Sequence, residues 1–327
     1  MRRHLRGIDQ YLAHLPYQLG FQPRDAVILA AWRAGAVSFQ AHVDGADDET
    51  LRSSMPALER GLRSVAPDSV ILAIHGPSPQ PPALSQVLTV VRRCGIPISH
   101  QTVSDAGRWR AVKCSCGRCP RDWTPLPRPE DVPAITQDIL EGAAPLPGRD
   151  TLRELLQRSG PPTPQWEQQI PRALGTVAAA VVAWLRGDGA HDQLVIAVRA
   201  MRDKSWRDVV MGLLAPEAFP RHEASNEHFD CRPHFAQIDR QLRHGPLPGH
   251  RQMQWTMINT LPVIPAQHQA PVLTLIAANS WGHGGGAEAT LACERALNLE
   301  PAYTMAQLIA EAVTQAVPAR PPEAMTA

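Results

Sequence analysis

Residues Ser69–His75 read Ser-Val-Ile-Leu-Ala-Ile-His, an unbroken apolar run of strand length. A run this short, with three β-branched apolar residues, marks a strand covered on both faces. Pro67-Asp68 precedes it and Gly76-Pro77 follows, so both ends are punctuated. Upstream, Glu49–Val65 places Leu51, Met55, Leu58, Leu62 and Val65 at intervals of three and four, one apolar stripe of a helix. Before it, Ala26–Trp32 and the alternating Val37–Val43 flank Arg33-Ala34-Gly35-Ala36 and predict a β-hairpin. Downstream, Leu84, Val87, Leu88 and Val91 form a second helical stripe, and Ile96–Val103 and Trp109–Cys114 read as two further strands. The order β-β-α-β-α-β-β predicts an N-terminal mixed β-sheet with packed helices.

From Thr124 the periodicity changes. Six prolines fall between Thr124 and Pro147, and Pro161-Pro-Thr-Pro164 follows, which reads as a connecting passage. Beyond it the pattern is helical: Gln165–Leu185, Asp192–Met201, Trp206–Leu214, a polar stretch to about Pro248, then Pro271–Trp281, Ala287–Leu297 and Thr304–Val317. The expected fold is therefore α+β followed by an all-α bundle of five or six helices. The corresponding domains are an α/β domain over 1–126, a proline-rich connection over 127–164 and a helical domain over 165–327. Trp184-x-x-Gly187-x-Gly189-Ala190 echoes Trp281-x-x-Gly284-x-Gly286-Ala287. The need for a left-handed glycine after each helix suffices to produce both turns.

The 327 residues carry 32 basic and 31 acidic side chains, net +1, with 44% hydrophobic residues. A real core is expected, and no global attraction to nucleic acid or an anionic membrane. Up to Trp123 there are 15 basic against 10 acidic residues, and beyond it 17 against 21, so the halves are mildly polarised at +5 and −4. Neither a secretory leader nor an apolar run of membrane-spanning length is read, and the expected location is cytoplasmic. Six cysteines in that setting read as reduced thiols or metal ligands more than as a disulfide framework.

Several constellations bear on chemistry. Leu15-Pro16-Tyr17 with Gly20-Phe21-x-Pro23 reads as a rigid entry loop, and Asp25 after it as a backbone-bonding residue or a polar anchor in a cleft. Cys114-Ser-Cys116-Gly-Arg-Cys119 offers three thiols over six positions, where a structural zinc site wants four ligands. Cys94 and His100 are the nearest candidates for the fourth. A Cys116–Cys119 redox pair is a further option, and inert thiols are the reading adopted: no cofactor and no metal, with zinc as the minority alternative. His222, His228, Cys231 and His234, with Glu223, Glu227 and Asp230, read as a solvated connection because Pro233 interrupts a helix. Val272–Ile276 before Gly282-His-Gly284-Gly-Gly286 mimics a dinucleotide loop, but its neighbours Ala277 and Ala278 and the absence of a following strand favour helix. Asn298–Tyr303 between the last two helices looks like the junction of one tetratricopeptide unit, read here as a helical hairpin of the bundle. No nucleophile elbow, P-loop or zinc-protease pair of histidines is present.

Three clusters together carry a resemblance: Leu15–Val27; Gly107-Arg108-Trp109 with Cys114–Pro120 and Thr124-Pro125-Leu126; and Pro271–Pro318 with Trp281, Leu291–Ala296 and Glu300–Ala306. Leu146–Arg149 and Arg207-Asp208 add weaker similarity between them. The chain resembles the bacterial domain of unknown function 4192 family. The resemblance implies the two-part architecture and carries no activity with it. The chain departs from the family's pattern at Ala26, where a serine usually follows the aspartate, and at Cys116, extra to the usual pair of cysteines.

These readings lead to a non-catalytic binding or regulatory protein, not expected to be an enzyme. Its ligand-binding cleft is expected around Tyr17, Gly20, Phe21, Pro23, Asp25, Arg108 and Trp109. The partner is expected to be a protein or small molecule, not nucleic acid or membrane. The alternative is an enzyme of unrecognised type with a cleft near Asp25, Arg108 and the Cys114–Cys119 loop.

Overall fold

A computed structural model describes residues 7–44, 48–221, 230–317 and 319. The chain divides into two compact units. Unit 1 is drawn from Met1–Leu140, Ala144–Arg149 and Ala312–Ala327, and unit 2 from Glu141–Ala143 and Asp150–Glu311. No helix among the described residues is long and apolar enough to cross a membrane.

Unit 1 is a mixed sheet covered on both faces. Its elements are α1 (Ile8–Leu19), β1 (Ala26–Arg33), β2 (Ala36–Asp44), α2 (Asp48–Val65), β3 (Ser69–His75), α3 (Pro82–Arg93), β4 (Ile98–Asp105), β5 (Arg108–Cys114), β6 (Thr124–Pro125) and α4 (Pro133–Leu140). The strands run in the order β2-β1-β3-β4-β5-β6. Only β3 and β4 are parallel, joined by α3, and the other neighbours are antiparallel. This is the mixed sheet that the alternating periodicities predict.

Period-two alternation divides the strand residues between two layers. Val27, Leu29, Val70, Leu72 and Ile74 face the stripes of α2 and α3, including Leu58, Leu62, Val87 and Val91, in one buried cluster. Each large side chain buried there contributes about 1.5–3 kcal/mol. The other face carries polar groups and is met by α1. Tyr11 packs edge-on to Trp32 at 6.3 Å and donates its hydroxyl to Gln40 at 3.2 Å. Phe21 stands edge-on to His42 at 5.5 Å. His14 of α1 meets Asp138 of α4 at 2.6 Å, both buried.

The N-terminal segment departs from expectation. Residues 8–19 are helical through Pro16, so Tyr17 lies on α1 and not in an entry loop. A proline's fixed φ suits a helix, and its missing N–H costs one bond within the last turn before the cap at Gly20. The two-residue β6 is also absent from the sequence reading.

After α5 (Arg149–Gln157), unit 2 contains α6 (Leu174–Arg186), α7 (His191–Ala200), α8 (Lys204–Leu214), α9 (Arg232–Leu242), α10 (His250–Thr260), α11 (Gln269–Gly282), α12 (Gly286–Leu299) and α13 (Thr304–Thr314). The all-α character holds, but the described residues from Leu174 onward form eight α-helices, not five or six. The additions are α9 and α10, within the stretch read as polar connection and just beyond it. Pro233 occupies the first turn of α9, where a proline starts a helix instead of breaking it. Every residue of α11 from Gln269 to Ser280 is buried, which makes it the central helix of the unit. The segment that mimics a dinucleotide site therefore begins in a helix. In both echoed turns the glycine three residues after tryptophan is left-handed, Gly187 at φ 80° and Gly284 at φ 83°.

Candidate metal centre and binding edge

His100 on β4 and Cys114 on β5 are register partners across the antiparallel ladder. Directly opposed residues hold their Cβ atoms about 4.5–5.5 Å apart, so the two side chains rise together from the sheet. The chain then leaves β5 in a loop pinned by Ser115 N–H to the Ser99 carbonyl at 2.9 Å, and turns through Gly117 at φ 70°. That turn brings Cys116 and Cys119 back over Cys114. The sulfurs of Cys114 and Cys116 are 3.0 Å apart and those of Cys116 and Cys119 3.8 Å. The donor atoms of His100, Cys114, Cys116 and Cys119 all lie within 4.8 Å of one another. Partial burial raises the Cys114 thiol, but hydrogen bonds from Cys116 and Cys119 outweigh it and bring the group down to about 5. Burial pushes Cys119 the other way, up to about 12, with its bonds to Cys114 and Cys116 adding to the effect. Cys94, at the end of α3, instead packs against the apolar cluster under the sheet.

The same loop forms the outer edge of the sheet. Arg108 donates to the Trp123 carbonyl at 2.7 Å, and the Arg110 guanidinium lies 5.5 Å from the Trp123 ring. Lys113, Arg118 and Arg121 are exposed, as are Val112 and Trp123. Over 105–123 five basic residues stand against Asp105 and Asp122, a net charge of +3 in a chain of net +1. The edge is blunted: β6 covers only Arg108 and Trp109, and the Pro120 carbonyl accepts from Ala111 N–H at 2.8 Å.

The other sequence-predicted residues fall elsewhere in unit 1. Tyr17 packs with Val132 and Ile135, Gly20 caps α1 and Phe21 is buried on His42. Pro23 leads into Asp25, which has φ 47° and lies against Gly76. A Cβ on Gly76 would fall 2.7 Å from Asp25 Oδ1, and the φ of 132° there also favours glycine. Trp109 is buried beside Ser104 in a register row that runs from Asp44 through Ala26, His75 and Ser104. His75 Nδ1 is 3.0 Å from Ser104 Oγ. The Nε2 atoms of His42 and His75 are buried with no hydrogen-bond partner among the described residues. Leu146 bridges Phe21, and Arg149 pairs with Asp44, which accounts for that short motif.

Unit 2 holds a polar cluster that the sequence reading missed. Glu288, in the first turn of α12, meets Arg251 of α10 and Ser280 of α11, each at 3.2 Å. Gln254 donates to Ser280 at 2.6 Å, and Asn279 to Gln254 at 2.6 Å. These groups line a cavity of about 10 Å³ beside the stacked rings of His250 and His283, 3.9 Å apart. That volume holds about one water molecule. Burial raises the Glu288 carboxyl, with Arg251 and Ser280 opposing. The signal lay in polar residues on an otherwise apolar helix, Asn279 and Ser280. Of the expected polar connection, Cys231 is buried and His234 packs on Trp206 at 4.7 Å, while 222–229 lie outside the described residues.

Neither a curated protein nor a solved structure matches the chain. A family model, the domain of unknown function DUF4192, matches residues 9–192 and 249–320, which take in both the cysteine loop and the Glu288 cluster. The chain belongs to that family.

Proposed function

We propose that this is a non-catalytic cytoplasmic binding protein that takes an acidic protein segment on the edge formed by β5, the cysteine loop and β6. The observation that carries the reading is that Lys113, Arg118 and Arg121, together with Val112 and Trp123, are all exposed on one short stretch of β5 and the loop after it. Complementary charge steers an approaching partner, and an aromatic anchor supplies the contact area that charge alone lacks. The blunted edge favours docking on side chains over addition of a strand. A chain of net +1 lacks the broad positive field of a nucleic-acid binder, which favours a protein partner. Six free cysteines accord with a reducing compartment.

The test compares affinity capture by the wild-type chain and by an Arg118→Glu, Arg121→Glu variant, with each captured protein then titrated in purified form. We expect an acidic partner that binds the wild type, weakens with salt and loses at least about tenfold in affinity for the variant. Equal binding by the variant, a nucleic acid as the captured species, or robust turnover in a broad substrate screen rejects the proposal.

A further inference from the structure

We propose that His100, Cys114, Cys116 and Cys119 bind one zinc ion in a closed structural site. Three sulfurs and one imidazole nitrogen form a ligand set that zinc takes in four-coordinate structural sites, with no position left open for chemistry. Zinc–sulfur bonds of about 2.3 Å set tetrahedral sulfur–sulfur edges of about 3.8 Å, and Cys116 and Cys119 stand at 3.8 Å. Cys114 and Cys116, at 3.0 Å, need to part by less than an ångström to reach the same edge. All four donor atoms already fall within 4.8 Å.

The placement follows from the fold. Register fixes His100 against Cys114, while the loop through Gly117 supplies the other two ligands from outside the sheet. Backbone bonds from Ser115 to Ser99 and from Ala111 to Pro120 hold the two ends of the loop between β5 and β6, and a metal there would tie its middle to the ladder as well. Uptake replaces thiol protons by zinc and releases them to solvent, with no change of oxidation state. Cys94, the other fourth ligand that spacing offers, is held against the core and takes no part. The site stands independently of the acidic partner, because Arg118 and Arg121 are not ligands.

The experiment is metal analysis of the full chain purified without chelator under reducing conditions, with cobalt(II) titration of the metal-stripped protein. One zinc per chain is expected, and cobalt should give the visible bands of a tetrahedral site with thiolate charge-transfer absorption. His100→Ala and Cys119→Ser should each weaken zinc binding beyond the roughly 10–100-fold typical of outer-shell changes. Cys94→Ser, and the Arg118→Glu, Arg121→Glu variant, should keep a full equivalent. If a ligand variant fails to fold, the cobalt spectrum of the wild type decides. A wild-type chain that holds no zinc and gives no tetrahedral cobalt spectrum overturns the site, as does one isolated with Cys116 and Cys119 joined in a disulfide. Loss of zinc in Cys94→Ser equal to that in Cys119→Ser would contradict the ligand set.

Discussion

His75 illustrates how a single buried side chain makes stability depend on pH. Burial holds its imidazole down at about 4, with the neighbouring His42 adding to the effect. His42 is also lowered to about 4, first by burial, with Asp44 opposing and Arg149 assisting. In the unfolded chain each titrates near about 6.5. Between those values the unfolded state holds the extra proton, so stability is intact above about pH 6.5 and is lost as pH falls toward about 4. For His75 the loss approaches roughly 3 kcal/mol. His75→Gln, compared with wild type by urea unfolding at about pH 7.5 and about pH 4.5, should lose about 2 kcal/mol less on acidification. An equal acid loss in both would show that His75 titrates normally in the folded chain. Neither histidine stands out in the sequence, because the polar face they share is met by Tyr11 of α1 at Trp32 and Gln40 and by Phe21 at His42, and Pro16 disguises α1 as a loop. The three loop cysteines, by contrast, are legible from spacing alone. His100 separates itself from Cys94 only through strand register, which includes a shift in the β4–β5 ladder between Gln101 and Thr102.

At the scale of elements, the apolar stripes of α2 and α3 and the hydrophobic runs of β1 and β3 are legible because each buries one pattern against one partner. Helices α9 and α10 are not. The sequence of α10, His-Arg-Gln-Met-Gln-Trp-Thr-Met-Ile-Asn-Thr, carries few apolar residues, and its polar ones are partly spent inside the unit. Gln254 and Arg251 turn toward α11 and α12 and join the network at Glu288. In a low-dielectric site, removing one partner leaves the other uncompensated. Arg251→Met should therefore destabilise unit 2 by about 3 kcal/mol or more, as an unpaired buried carboxylate does. Glu288→Gln should cost clearly less, since the carboxyl is already raised by burial and its amide can still bond Ser280. Urea midpoints of the two variants at neutral pH provide the check, and a larger loss for Glu288→Gln would contradict the ordering.

For the whole molecule, the change of periodicity after the fifth strand marks where a mixed sheet, but for the two-residue β6, gives way to helices, and that change is the most legible feature of the chain. Capture of an acidic partner depends on how charge is distributed along the chain, +3 over 105–123 within a chain of net +1. Those basic residues are spread over 108–121 on β5 and the loop that follows it, and Arg108 and Arg110 meet Trp123 next to the short β6. The most direct measurement is hydrogen exchange along the full chain with and without a glutamate-rich peptide. The account predicts slowed exchange confined to residues 108–125 and its disappearance near 1 M salt, where screening shortens to about 3 Å. Protection that survives high salt, or that falls in unit 2 instead of on this edge, would contradict it.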